Sequence, residues 1–377
     1  MKDVIKKLHE LGQSVWYDNI ERKLLNDGTL AGMISRGEIR GITSNPSIFN
    51  KAISQSSEYD EEIKDLTNKG FSKEQIYEQL AIRDIQAAAD LFFPLYDKTR
   101  GGDGYVSLEV SPYLAHNTEQ TIQDAKLLWN TVDRPNLMVK IPATQEGLPA
   151  IAESIADGIN INVTLIFSLD RYQEVRETYL TGLERRVSRG DSIENIASVA
   201  SFFISRIDTK VDQNLDSLTA SANPDKQTRI SELLGKTAVA SGKLAFVEYE
   251  KTFGDDGTRF KTLKDQGANR QRVLWASTST KNPAYKDTKY VEDLIGPMTV
   301  NTIPPATLKK FIDHGMAERT IDKDLESAHN VFAELADLGF DLKQATQDLE
   351  TEGVKAFADA FTSLLDSIQK RMVKFQS

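Results

Sequence analysis

A lysine stands inside the apolar run LMVKIPAT, Leu137 to Thr144. An unpaired ammonium is expensive to bury, so Lys140 must be paired, neutral or turned toward a cavity. A lysine held in such a place is a competent amine nucleophile toward a carbonyl carbon. Schiff-base chemistry also needs groups that move protons at the substrate and at the carbinolamine, and carboxylates can do both. Asp18 and Glu109 end other β-branched runs of the chain. Thr43, Asn45, Asn162, Thr164, Ser201 and Arg206 occupy comparable places, and Lys281 follows a further run. So many polar side chains would be costly against an apolar core, whereas a shared polar pocket accommodates them.

Each of these residues also has a plainer role. Asp18 could cap a helix starting at Asn19 or Ile20, and Asn45, before Pro46, could be a turn residue. Glu109 and Lys140 could form a structural ion pair. Thr164 and Ser201 fit strand propensity alone. Arg206 could bind a helix C-terminus, and Lys281 could be a solvated loop lysine.

The elements that must position them are short apolar runs separated by helical patterns. The runs are Ser14–Asp18, Gly41–Asn45, Tyr105–Val110, Leu137–Ala143, Ile161–Phe167, Val199–Arg206, Arg272–Ser277 and Met298–Ile303. Most are continuously apolar, as parallel strands covered by helices are. Amphipathic segments lie between them, EQTIQDAKLLWNTV after the third run and DRYQEVRETYLTGLERRV after the fifth. Asn117-Thr118-Glu119 offers capping chemistry at the start of the first. Repeated strand-helix order gives right-handed βαβ units, and eight of them give an α/β (β/α)₈ barrel. Ser56–Thr99 predicts extra helices between strands two and three, and Asp322–Gln376 predicts a helical tail. No Pro/Ser-rich linker interrupts residues 1–377, so a single domain is expected.

Composition removes other classes. The chain has 377 residues, 40% hydrophobic and 27% charged, with a formal net charge of −10. That suits a large globular core and argues against a nucleic-acid partner. A phosphorylated substrate would need local cations within this acidic envelope. With no cysteine, disulfides and thiolate chemistry are excluded. His9, His116, His314 and His329 lack ligand spacing, so no metal is expected, and no cofactor is implied. No run of about 18 apolar residues predicts a membrane partner. The amino-terminal segment lacks the apolar stretch of a signal peptide, which makes the cytoplasm the expected compartment. GKT at Gly235–Thr237 has Ile230 where a P-loop needs glycine and lies in a helical pattern. GGDG at Gly101–Gly104 precedes a strand and reads as a turn. DKDLE at Asp322–Glu326 lacks calcium-loop spacing.

GITSNPSIF (Gly41–Phe49), LMVKIPAT, GININVTLIFS (Gly158–Ser168) and SFFISR (Ser201–Arg206) together resemble the segments of the transaldolase family. The resemblance extends from about Ser14 to Pro305. It implies a class I aldolase-type barrel that moves a dihydroxyacetone unit between sugar phosphates of the pentose phosphate pathway. It further implies Lys140 as the Schiff-base lysine and Asp18 as the acid/base at the C3–C4 bond. Glu109 and Thr164 would hold the catalytic water, Asn45, Asn162 and Ser201 would bind substrate hydroxyls, and Arg206 would bind phosphate. Thr43 and Phe203 complete the expected substrate pocket. The segment LWASTSTKNP lacks an arginine that many family members carry, which leaves Lys281 as the second phosphate cation. Fructose-6-phosphate aldolases, which release free dihydroxyacetone, are the nearest alternative. They typically have glutamine and tyrosine where this chain has Glu109 and Phe203. A non-catalytic sugar-phosphate binding protein would need a broken constellation, and the TSNP and Asn-x-Thr segments do not suit a deoxyribose-phosphate-type aldolase. Monomer and homodimer both fit the sequence.

Overall fold

A computed structural model describes residues 4–219 and 222–376; residues 1–3, 220–221 and 377 of the expected domain lie outside the described residues. Seven parallel strands form one curled sheet: β1 (Gln13–Tyr17), β2 (Val106–Glu109), β3 (Leu137–Pro142), β4 (Ile161–Ile166), β5 (Ser198–Phe203), β6 (Arg272–Ala276) and β7 (Thr299–Ile303). Their order is β1-β7-β6-β5-β4-β3-β2. Almost every residue in them is buried, because helices cover one side and the curl encloses the other. That is why the runs read as continuous apolar stretches.

The expected strand at Gly41–Asn45 is not a strand. Only Ile42 pairs, with Tyr17 of β1 on one side and Val106 of β2 on the other. Its neighbours hydrogen-bond outward: Thr43 N–H donates to Tyr17 C=O at 2.9 Å, and Ser107 N–H donates to Ile42 C=O at 3.1 Å. Asn45 then caps the helix Pro46–Gln55, accepting from Ile48 N–H at 3.0 Å, so the chain turns after one bridged residue. Two further corrections concern boundaries. β5 ends at Phe203, and Arg206 lies in the first turn of the helix Ser205–Thr219. Gly235 and Lys236 form a turn between the helices Pro224–Leu233 and Thr237–Phe253, so the GKT segment is not helical throughout.

The helices read between Ser56 and Thr99 are Asp60–Asn68 and Lys73–Lys98, the second opened by a Ser72/Gln75 capping box. Asn117 caps Thr118–Val132 as its sequence suggested. The tail forms Leu325–Asp337 and a 35-residue helix, Leu342–Gln376. In the long helix Ala345, Leu349, Gly353, Phe357, Phe361 and Leu365 recur every four residues and are buried, giving one continuous apolar stripe. That stripe lies against the helices Pro46–Gln55, Asp60–Asn68 and Lys73–Lys98 and against β4.

Asp103 of the GGDG turn does unexpected work at the amino ends of the strands. It is buried and accepts from Ser14 of β1 at 2.6 Å and from Trp16 Nε1 at 3.2 Å. It also pairs with Arg40 at 2.8 Å and with Arg272 of β6 at 3.2 Å. One carboxylate thus joins β1, β6 and the chain before Ile42, at the end of the sheet opposite Lys140. Replacing it strands two arginines that keep some contact with solvent. Asp103→Ala should therefore cost on the order of 2–4 kcal/mol, slightly below a fully buried pair. The check is a urea midpoint alongside substrate KM. A lower midpoint with unchanged KM is expected; a large KM change with wild-type stability would contradict this placement.

Candidate active site

The carboxyl ends of the strands bring most of the expected residues to one cavity. Asp18, Thr43, Asn45, Lys140, Thr164, Ser201, Phe203, Arg206 and Lys281 all line it. Glu109 and Asn162 do not reach its wall, but each touches it through a neighbour.

Lys140 is 5% exposed. Register pairs it with Glu109 of β2 on one side and Asn162 of β4 on the other. Its Nζ lies 3.5 Å from Glu109 Oε2 and donates to the Ser44 carbonyl at 3.3 Å. The Phe357 ring, from the C-terminal helix, sits 5.5 Å from the same nitrogen. The lysine is therefore both paired and aimed at the cavity.

Asp18 does not cap a helix: the next one begins at Arg22. Its carboxylate accepts from Thr43 Oγ1 at 2.6 Å. Thr43 has a single proton to give, so the 2.5 Å contact with Thr302 must have Thr302 donating. This chain of hydroxyls fixes the aspartate. Four residues later Arg22 is locked by Asp84 at 2.8 Å, with its backbone N–H donating to Tyr59 Oη at 3.0 Å, so the segment after β1 is held at both ends.

Asn162 forms a buried relay in the wall, donating to Ser107 at 3.0 Å and accepting from Ser201 Oγ at 2.7 Å. Thr164 is fully buried, and its hydroxyl finds no protein partner among the described residues. Just beyond it β4 breaks register, and Leu165 adopts a left-handed φ of 59°, costly for a side chain of this type. Phe203 packs at a tilt against Phe167 with ring centres 5.1 Å apart, and the Arg206 guanidinium lies 5.5 Å from the Phe203 ring. Lys281 is exposed at the rim, donating to Ser279 at 2.7 Å.

Burial raises both carboxyl groups above their ordinary range. For Asp18 the Thr43 hydrogen bond and the positive charges of Lys140, Lys281 and Arg206 oppose the rise. For Glu109 burial outweighs the attraction of Lys140, and the group stands at about 7. One raised carboxyl thus stands beside the Lys140 amine, and a second shares its cavity.

Thr302, Pro304, Ser277, Ser279 and Phe357 also line the cavity. Thr302 ends β7, so the strand-end rule used for the other residues would have found it. Phe357 sits in a helical repeat whose pattern marks only burial, and nothing in sequence distinguishes it from Phe361. No group of three or more His, Asp or Glu side chains placed to hold a metal occurs among the described residues.

Residues 15–368 match the family model Transaldolase/Fructose-6-phosphate aldolase. A Transaldolase 2 of Streptomyces coelicolor is 46% identical over 99% of this chain and 98% of its own length. Transaldolases of Saccharopolyspora erythraea and Trichodesmium erythraeum are 45% and 43% identical, each over 98% of this chain and 97% of their own.

The Glu109 shift has a stability consequence with a definite sign. A carboxyl whose folded value lies above its unfolded one stabilises the fold below the unfolded value, and that contribution is lost as pH rises through the folded value. Wild type should thus lose stability between about pH 4.5 and 7 relative to Glu109→Gln, by about 1–3 kcal/mol. Urea unfolding of both proteins at pH 5 and pH 8 measures it. A difference between them that does not change with pH would mean that Glu109 titrates like an exposed carboxylate.

Proposed function

The chain belongs to the transaldolase/fructose-6-phosphate aldolase family, and we propose that it is a transaldolase working through an imine on Lys140. It would move a dihydroxyacetone unit from a ketose phosphate to an aldose phosphate, as from sedoheptulose 7-phosphate to glyceraldehyde 3-phosphate. The observation that carries the scheme is a buried lysine with one carboxyl at 3.5 Å and a second in the same cavity. Lys140 attacks the ketose carbonyl carbon. Loss of water from the carbinolamine is assisted by Glu109, with Thr164 holding the water that leaves and returns. The unpartnered Thr164 hydroxyl supports that role.

Asp18 then takes the proton of the C4 hydroxyl as the C3–C4 bond breaks. The aldehyde departs, and the electron pair remains on Lys140's three-carbon enamine. In the return direction the enamine carbon attacks the acceptor aldehyde, and Asp18 gives its proton to the new alkoxide. A carboxyl raised by burial but held down by three cations is suited to both directions. Asn45, Asn162 and Ser201 are assigned to substrate hydroxyls. Arg206, in the first turn of its helix, and Lys281 at the rim are assigned to phosphate. Thr43 positions Asp18. A carboxylate at 109 and an apolar ring at 203 favour transfer over release of free dihydroxyacetone, as the family pattern implies.

The same reading extends to architecture: the curled sheet is taken as a (β/α)₈ barrel in a single domain, with Ile42 as a strand reduced to one residue. The paired bridges of Ile42 support that closure. The scheme needs no cofactor, and the cytoplasm, where sugar phosphates are exchanged, is the fitting compartment.

Two measurements test the assignments. Lys140→Ala should fold yet lose essentially all transfer. Borohydride reduction with fructose 6-phosphate should modify Lys140 in wild type, as peptide mapping would show; a label on another lysine would refute the mechanism. Arg206→Ala should raise KM for phosphorylated donors about tenfold or more while leaving free dihydroxyacetone donors nearly unaffected, since a charge-assisted contact is lost. Equal effects on both donors would make Arg206 structural, and Lys281→Ala should show the same selectivity more weakly.

A further inference from the structure

The C-terminal helix Leu342–Gln376 is fastened across the carboxyl end of the sheet by segments that follow three different strands. Tyr113, after β2, hydrogen-bonds to Thr362 at 2.7 Å. Arg171, after β4, pairs with Glu350 at 3.2 Å, and Lys210, after β5, pairs with Glu352 at 2.6 Å. At the helix's far end Arg371 pairs with Asp60 at 2.7 Å.

Between these ties the helix comes very close to β4. A Cβ on Gly353 would lie 3.0 Å from Leu165 and 3.5 Å from Phe167. Glycine in a helix interior is unfavourable by about 1 kcal/mol relative to alanine, and the close approach explains its presence. One turn on, the approach delivers Phe357 into the cavity. The residue is 4% exposed, and its ring stands 5.5 Å from Lys140 Nζ.

We infer that Phe357 is a specificity-determining residue whose ring roofs the Lys140 imine and favours transfer over hydrolysis. The inference rests on the imine chemistry proposed above. An enamine on Lys140 has two fates. In one, its carbon takes up a proton to give an iminium, water adds to the C=N carbon, and the C–N bond breaks. The amine then keeps the pair, the added water's proton is released, and free dihydroxyacetone leaves. In the other, the enamine carbon bonds to an aldehyde carbon, whose oxygen takes the proton from Asp18. Both fates end with water adding to a C=N carbon, but only the first, at the three-carbon stage before an acceptor has bound, needs a solvent proton and bulk water. An apolar ring over that nitrogen excludes it while leaving open the side lined by Arg206 and Lys281, where a phosphorylated aldehyde enters.

The experiment compares wild type, Phe357→Ala and Phe357→Leu for dihydroxyacetone released from fructose 6-phosphate without acceptor, divided by transfer to an added aldose phosphate. The Ala variant should raise that ratio by about tenfold, the change that roughly 1.4 kcal/mol would bring. The Leu variant, which keeps an apolar plug of smaller size, should raise it less. Circular dichroism confirms folding, and if the Ala variant does not fold the Leu variant decides alone. An unchanged or lower ratio in a folded variant overturns the inference, provided wild type is trapped by borohydride at Lys140. Wild type that is not trapped there overturns the imine reading and, with it, this one. A merely structural Phe357 would lower both rates together and leave their ratio where it was.

Discussion

The contact between Lys140 and Glu109 is the interaction around which the site is built. Both side chains are 6% exposed and stand 3.5 Å apart on adjacent strands. Removing two opposite charges from water costs more than their attraction returns unless other groups complete the shell. Here the shell is sparse: one backbone carbonyl and one aromatic ring serve the lysine, and Glu109 Oε2 finds no hydrogen-bond donor among the described residues. The deficit appears as the displaced Glu109 carboxyl, standing at about 7. A pair arranged for stability would have been given donors. This one keeps a proton close to exchange at neutral pH, which the imine chemistry proposed for Lys140 would require.

Such a site must be held together by something else, and the opposite end of the sheet does this. Asp103 gathers β1, β6 and Arg40 through two ion pairs and two hydrogen bonds, and it takes no part in the cavity. The Arg22, Asp84 and Tyr59 cluster anchors the chain just beyond Asp18. In α/β barrels the two ends of the strands divide these tasks, chemistry at the carboxyl ends and stability at the amino ends. The division lets the carboxyl end carry an unpartnered Thr164 hydroxyl, a left-handed Leu165 and a carboxyl raised by burial.

Most of this was legible because parallel strands covered on both sides write themselves as apolar runs, and a polar residue at the end of such a run stands out. Lys140, Asp18, Thr164 and Ser201 were found that way. The same rule overshot at Gly41–Asn45, where the β-branched pair Ile42 and Thr43 promised a strand but only Ile42 has neighbours to pair with. It overshot again at SFFISR, since an apolar run cannot show where β5 stops. Ser205 starts a helix there, which puts Arg206 in a first helical turn rather than on a strand. Asp103 looked like a turn residue, and it is one; its arginine partners are 63 and 169 positions away from it in the chain and leave no local trace. Phe357 was invisible for the same reason. Its contact with Lys140 spans the chain, and a four-residue apolar repeat looks alike whichever members face a cavity.

That repeat also constrains how the site works. Phe357 lines the front cavity with Lys140, whereas Phe361 and Leu365, one and two turns later, line a second cavity behind it. Glu109 opens onto that second space rather than the first, together with Tyr77 and Asp124. Phe361 is wedged there between the rings of Tyr77 and Tyr113, with centres 5.1 and 5.4 Å away. Helix geometry fixes the separation of the two phenylalanine backbones at about 6 Å along the axis, so the helix cannot shift at one of them without shifting at the other. Lifting the helix backbone away from Lys140 would therefore also unpack the aromatic cluster that lines the second cavity with Glu109. Both placements depend on the close approach to β4 that Gly353 permits.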